Sequence, residues 1–93
     1  MTIGSVVFEL DIDQAFSLKQ KRRVLNSLKT RLKNKFNVAV AEVGEKDIWN
    51  RADLAIVTLA DNRSFLDSQL QEIINFVDMF HEVVIMHINQ EIF

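Results

Sequence analysis

Between Lys19 and Lys35 the chain places eight of its eleven Lys and Arg residues and not one Asp or Glu. The chemistry open to such a run is electrostatic: it can hold phosphates or another polyanion. Lys19, Lys21, Arg22 and Arg23 follow Ser17-Leu18, which reads as the start of a helix. The backbone dipole makes that end positive, so each cation there costs about 0.3–1 kcal/mol at low salt. Free N–H groups and clustered cations together suit an anion. At about 100° per residue, Lys19, Arg22, Lys29 and Lys33 line one flank of an apolar arc, with Arg23 further round. Arg31 and Lys35 fall on the other flank. Lys21 falls inside the arc, where its stem is expected to pack while its ammonium reaches the rim. The candidate nucleic-acid contacts are therefore Lys19, Lys21, Arg22, Arg23, Lys29 and Lys33. The competing reading is a solvated helix face, partly neutralised by Asp11, Asp13 and Glu42.

Other chemistry has weaker support. Glu9, Asp11, Glu42 and His87 fall on neighbouring strands, but His81 and His87 lack ligand spacing with any carboxylate. Ser5, Ser17, Ser27, Ser64 and Ser68 have no nucleophile-elbow context, and Ser17 and Ser64 read as helix caps. Two glycines, Gly4 and Gly44, make no phosphate-cradling loop. With no cysteine, disulfides and cysteine-based zinc sites are excluded. No catalytic residue, metal or cofactor is expected, and the reading is non-enzymatic.

The elements that must position the cations follow from periodicity. Val6, Phe8, Leu10 and Ile12 alternate with Val7, Glu9, Asp11 and Asp13, which marks a strand. Ser17 and Gln20 have capping-box spacing. Leu18, Val24, Leu25, Leu28, Leu32 and Phe36 share a helical face, predicting a helix near 17–36. Val38 to Val43 is a second strand closed by Gly44, and a loop around Trp49 leads to a third, Ala52 to Ala60. Leu66, Leu70, Ile73, Ile74, Val77 and Phe80 define a second helix near 64–80, and Glu82 to Asn89 a fourth strand. The order βαββαβ predicts one ferredoxin-like domain over residues 1–93: a four-stranded antiparallel sheet with both helices on one face.

A net charge of −2 conceals segregation. Residues 1–18 carry −3, residues 19–35 carry +8, residues 36–63 carry −2 and residues 64–93 carry −5. One positive and one negative side are expected. With no basic-then-apolar leader and no apolar run near the ~20 residues needed to span a bilayer, a cytoplasmic protein is expected.

Three stretches carry a resemblance: Ser17 to Leu25, Arg31 to Val43, and Asp47-Ile48-Trp49-Asn50-Arg51-Ala52. They resemble the YlxP-like family of small bacterial proteins, a domain of unknown function, over essentially the whole chain. The resemblance implies a ferredoxin-like fold. Its genes often stand beside those for translation initiation and ribosome maturation, which implies a role near ribosomal RNA.

Two partners are expected from these readings. One is structured RNA or a ribosomal particle, held by the first helix. The third strand has no aromatic residue for base stacking, and Glu9 and Asp11 would repel phosphate from the sheet. The other is a second copy. The strands are apolar at both alternating positions, so Val7, Leu54, Ile56, Val83 and Ile85 are expected on a face needing cover. A protein-interaction or dimerisation module without any RNA role is the alternative function. Trp49 is expected either to anchor its loop or to face a partner.

Overall fold

The computed structural model describes residues 1–93. Its elements run β1 (Thr2–Asp11), α1 (Leu18–Lys35), β2 (Ala39–Val43), β3 (Arg51–Ala60), α2 (Arg63–Asp78) and β4 (Val84–Ile92). The sheet order is β2-β3-β1-β4, and every neighbouring pair is antiparallel. This is the expected ferredoxin-like α+β fold. β1 and β4 extend further than the alternation foretold. β1 starts at Thr2, and β4 continues to Ile92, where Ile3 and Phe93 exchange backbone hydrogen bonds at 3.3 and 2.7 Å.

The core lies between sheet and helices. Val6, Phe8, Leu10 and Ile12 of β1 and its extension meet Leu25, Leu28 and Leu32 of α1 and Ile73 and Val77 of α2. From β3, Ala52, Leu54 and Ile56 join the same cluster. Leu54, Ile56 and Val83 are thus buried, not on the open face as expected, and Ile85 packs against the core. The open face instead carries Val57, Leu59, Val84 and Met86 as exposed residues. Register explains the exchange. Phe8 faces Leu54 and Val6 faces Ile56 across the ladder, so the even-numbered residues of β3 share the inward face of β1.

Both helices are capped by side chains. Ser17 Oγ accepts from Gln20 N at 3.2 Å, while Gln20 Oε1 accepts from Phe16 N rather than from Ser17 as a strict capping box would. The cap of α2 is Asn62, whose Oδ1 accepts from Phe65 N at 2.8 Å; Ser64 lies inside the first turn. Gly44 ends β2 at φ +76°, a left-handed conformation costly for other residues. A Cβ there would also stand 2.6 Å from Asp53 Oδ2.

Candidate nucleic-acid interface

α1 presents its cations in two groups. Arg31 lies over the Phe80 ring at 5.6 Å, and Lys35 lies over Phe36 and Phe76 at 5.7 and 5.4 Å. Those two cations therefore mark the flank turned toward α2. Lys19, Arg22, Arg23 and Lys33 are exposed and Lys29 is half-buried; at about 100° per residue they fall on the flank opposite Arg31 and Lys35. From Lys19 to Lys33 the row spans about 21 Å at 1.5 Å per residue. The protein has only two ion pairs, Lys21–Glu42 and Arg63–Asp67. None of the five cations of the row is paired with a carboxylate; of the acids expected to neutralise the helix, only Glu42 does so, and its partner is Lys21.

Lys21 departs from expectation. It is 1% exposed, and its ammonium does not reach the rim. Nζ donates to Ile48 O at 2.7 Å and Lys46 O at 3.2 Å, and stands 2.8 Å from Glu42 Oε2. The Glu42 contact is a charge pair rather than an aligned hydrogen bond, and that buried oxygen has no other polar partner. A buried ammonium has three donors to satisfy, and this site surrounds it with two carbonyl acceptors and one carboxylate charge. Lys21 is thereby removed from the candidate contacts and becomes the clasp of the loop between β2 and β3. Trp49 is half-exposed in that loop. A lysine at the centre of an apolar arc, with an unpaired acid on the neighbouring strand, was the available signal.

The opposite side of the molecule is acidic. Glu9 and Asp53 are direct partners across β1 and β3, and Glu9 is also opposite His87 of β4. They line a groove of about 490 Å³ with Glu45, Arg51, Ile48 and Met86. Glu42 belongs to the helix side through its pair with Lys21, so the expected neighbours Glu9, Asp11, Glu42 and His87 are split between the two faces. Beside them, Asp13 titrates above its ordinary value of 3.8, because its carboxyl hydrogen-bonds Asp11 and then because the Asp11 charge repels its anion.

A family model described as "Protein of unknown function (DUF503)" matches residues 3–90. The chain belongs to the DUF503 family. Within reach of that family it is similar to "Uncharacterized protein YlxP" of Bacillus subtilis (strain 168), 40% identical over 81 residues, which cover 87% of this chain and 88% of that protein. The resemblance seen in the three motifs is thus confirmed. The fold is also similar to that of a solved structure, the de novo designed protein Foldit4. There the TM-score is 0.57 at 9% identity, covering 100% of this chain and 97% of the other. At that identity the likeness is one of fold alone. No helix of this DUF503 chain is long and apolar enough to cross a membrane.

Proposed function

We propose that this DUF503 protein is a non-enzymatic binder of a polyanion, most simply structured RNA of the ribosome or of a maturing ribosomal particle. The supporting observation is the row Lys19, Arg22, Arg23, Lys29 and Lys33, five cations on one helix flank with no carboxylate paired to any of them. Isolated cations held close together on a rigid helix repel one another, and a polyanion relieves that repulsion while releasing its own counterions. The acids of the open sheet face oppose base stacking there, so recognition is by shape and backbone charge.

The test is binding of ribosomal RNA fragments across a salt series by the wild type and by the variant Arg22→Glu/Lys29→Glu/Lys33→Glu. The wild type is expected to bind at about 50 mM salt, and the variant to lose at least tenfold in affinity at unchanged fold. Equal binding by the two proteins, or no binding by the wild type, leaves the row as a solvated face.

The second reading is an interaction or dimerisation module. It is favoured by the exposed Val57, Leu59, Val84 and Met86 on the uncovered face of the sheet. A wild type that sediments as a dimer without RNA, and a Leu59→Lys variant that does not, would support it.

A further inference from the structure

We propose that the free edge of β2 accepts an extended peptide strand in which acidic and apolar residues alternate. This goes beyond the polyanion reading, because it uses main-chain groups that RNA does not need.

β2 pairs with β3 and with nothing on its other side, so half of its backbone donors and acceptors face outward. Edge strands are usually blunted by shortness, lysine, proline, a bulge or an inward-pointing charge. β2, Ala39-Val40-Ala41-Glu42-Val43, has no lysine, no proline and a regular register with β3, and its one inward charge, Glu42, is already paired with Lys21. The other edge, β4, is interrupted by a register shift against Glu9 and Leu10, and it exposes His87, Asn89 and Glu91.

The two sides of the β2 edge are chemically different. Ala39 and Ala41 lie opposite Val57 and Ala55 of β3, all on the open face, so the border there is small and apolar. On the other side stands α1, which packs on β2 and holds Glu42 through Lys21. Its α2-facing flank is marked by Arg31 and Lys35, so by helix angle Arg22, Lys29 and Lys33 fall on the opposite flank, on the β2 side of α1. A strand added to β2 sends alternate side chains to the two sides. One set meets Ala39, Ala41 and Val57; the other meets unpaired cations. Five β2 residues extend about 17 Å, close to the roughly 17 Å of helix between Arg22 and Lys33. Strand addition of this kind takes affinity from main-chain hydrogen bonds and specificity from alternate side chains.

Charge selects the occupant. A second copy adding its own β2 by a two-fold would bring two basic flanks together, and its Glu42 is already committed to Lys21. An acidic-apolar strand meets the cations with complementary charge instead.

The experiment titrates the full chain with a short synthetic peptide of alternating Glu and Val. Controls are a peptide of the same composition with its Glu and Val in two blocks, and two versions N-methylated at alternate amides, one for each register. Hydrogen exchange at Ala39 to Val43 is followed in parallel. The alternating peptide is expected to bind roughly tenfold or more tightly than the block peptide, to slow exchange in β2, and to lose binding in one N-methylated register only. Equal affinity for alternating and block peptides overturns the proposal, as does equal binding of both N-methylated forms. Protection of the β2 edge before peptide is added, with a dimeric mass, also overturns it in favour of a second copy. RNA binding with no peptide binding sinks this proposal and keeps the polyanion reading; the reverse result does the opposite.

Discussion

Lys21 shows how much one residue's placement changes its meaning. Its ammonium holds two loop carbonyls and Glu42, so truncation leaves a buried carboxylate and two unbonded carbonyls. Lys21→Ala should cost about 3–5 kcal/mol, measured by urea denaturation. The pair-replacing variant Lys21→Met/Glu42→Leu should recover most of that loss, because apolar residues of similar volume replace buried ion pairs well. If Lys21→Ala is instead neutral, the clasp is dispensable. Asp13 makes a second, pH-dependent case. Its folded-state pKa is raised above 3.8, so its contribution favours folding below that value and is lost as pH rises through the folded pKa. At neutral pH the Asp11 and Asp13 charges only repel. Asp13→Asn should therefore raise the melting temperature at pH 7, with a gain that disappears on acidification toward pH 3.8.

Among the elements, the caps decide where the helices begin. Asn62→Ala removes the acceptor for Phe65 N and should destabilise by about 1 kcal/mol. The first turn of α1 has no acid to complement its dipole. Lys19→Glu should accordingly stabilise by about 0.3–1 kcal/mol, an effect that salt erases, while weakening any polyanion binding. A gain in one property at the cost of the other would separate function from folding at that position. The helices were readable because their apolar residues recur at helical spacing; the Ser17 cap was legible, while the α2 cap falls on Asn62 and not on Ser64. The face of β3 was harder to read, since the outward Val57 and Leu59 are as apolar as the inward Leu54 and Ile56. Arg51 and Asp53 held the missing cue: charged odd-numbered residues at the strand's start assign the odd face to solvent. Lys21 was misread for a related reason. Helix angle put it among core residues, but only the fold brings the carbonyls of Lys46 and Ile48 to meet it.

At the scale of the whole molecule, charge is sorted by layer. The outer flank of α1 is cationic, and the open sheet face gathers Glu9, Asp11 and Asp53, with Glu91 on β4. A polyanion therefore has one approach. For contacts from the five cations of the row, the log–log slope of RNA affinity against salt should be roughly −3 to −5. Removing Lys21 should not change that slope in any variant that remains folded, because its charge is already spent on Glu42. Filter binding across a salt series would show this directly, and a shallower slope for Lys21→Met/Glu42→Leu would place Lys21 back at the surface.

The pairing of Ile3 with Phe93 also bears on when the protein can become itself. Of the sheet's four strands β1 leaves the ribosome before the others, yet it sits in the middle of the sheet, between β3 and β4. Its inner side can be covered once β3 emerges, but its outer edge waits for β4. Until then a ten-residue strand stands with one ladder unfilled. The nascent chain thus carries a second, temporary strand edge that the finished fold erases. Arrested chains ending before Val84 should be far more open to protease and to strand capture than chains that include Ile92.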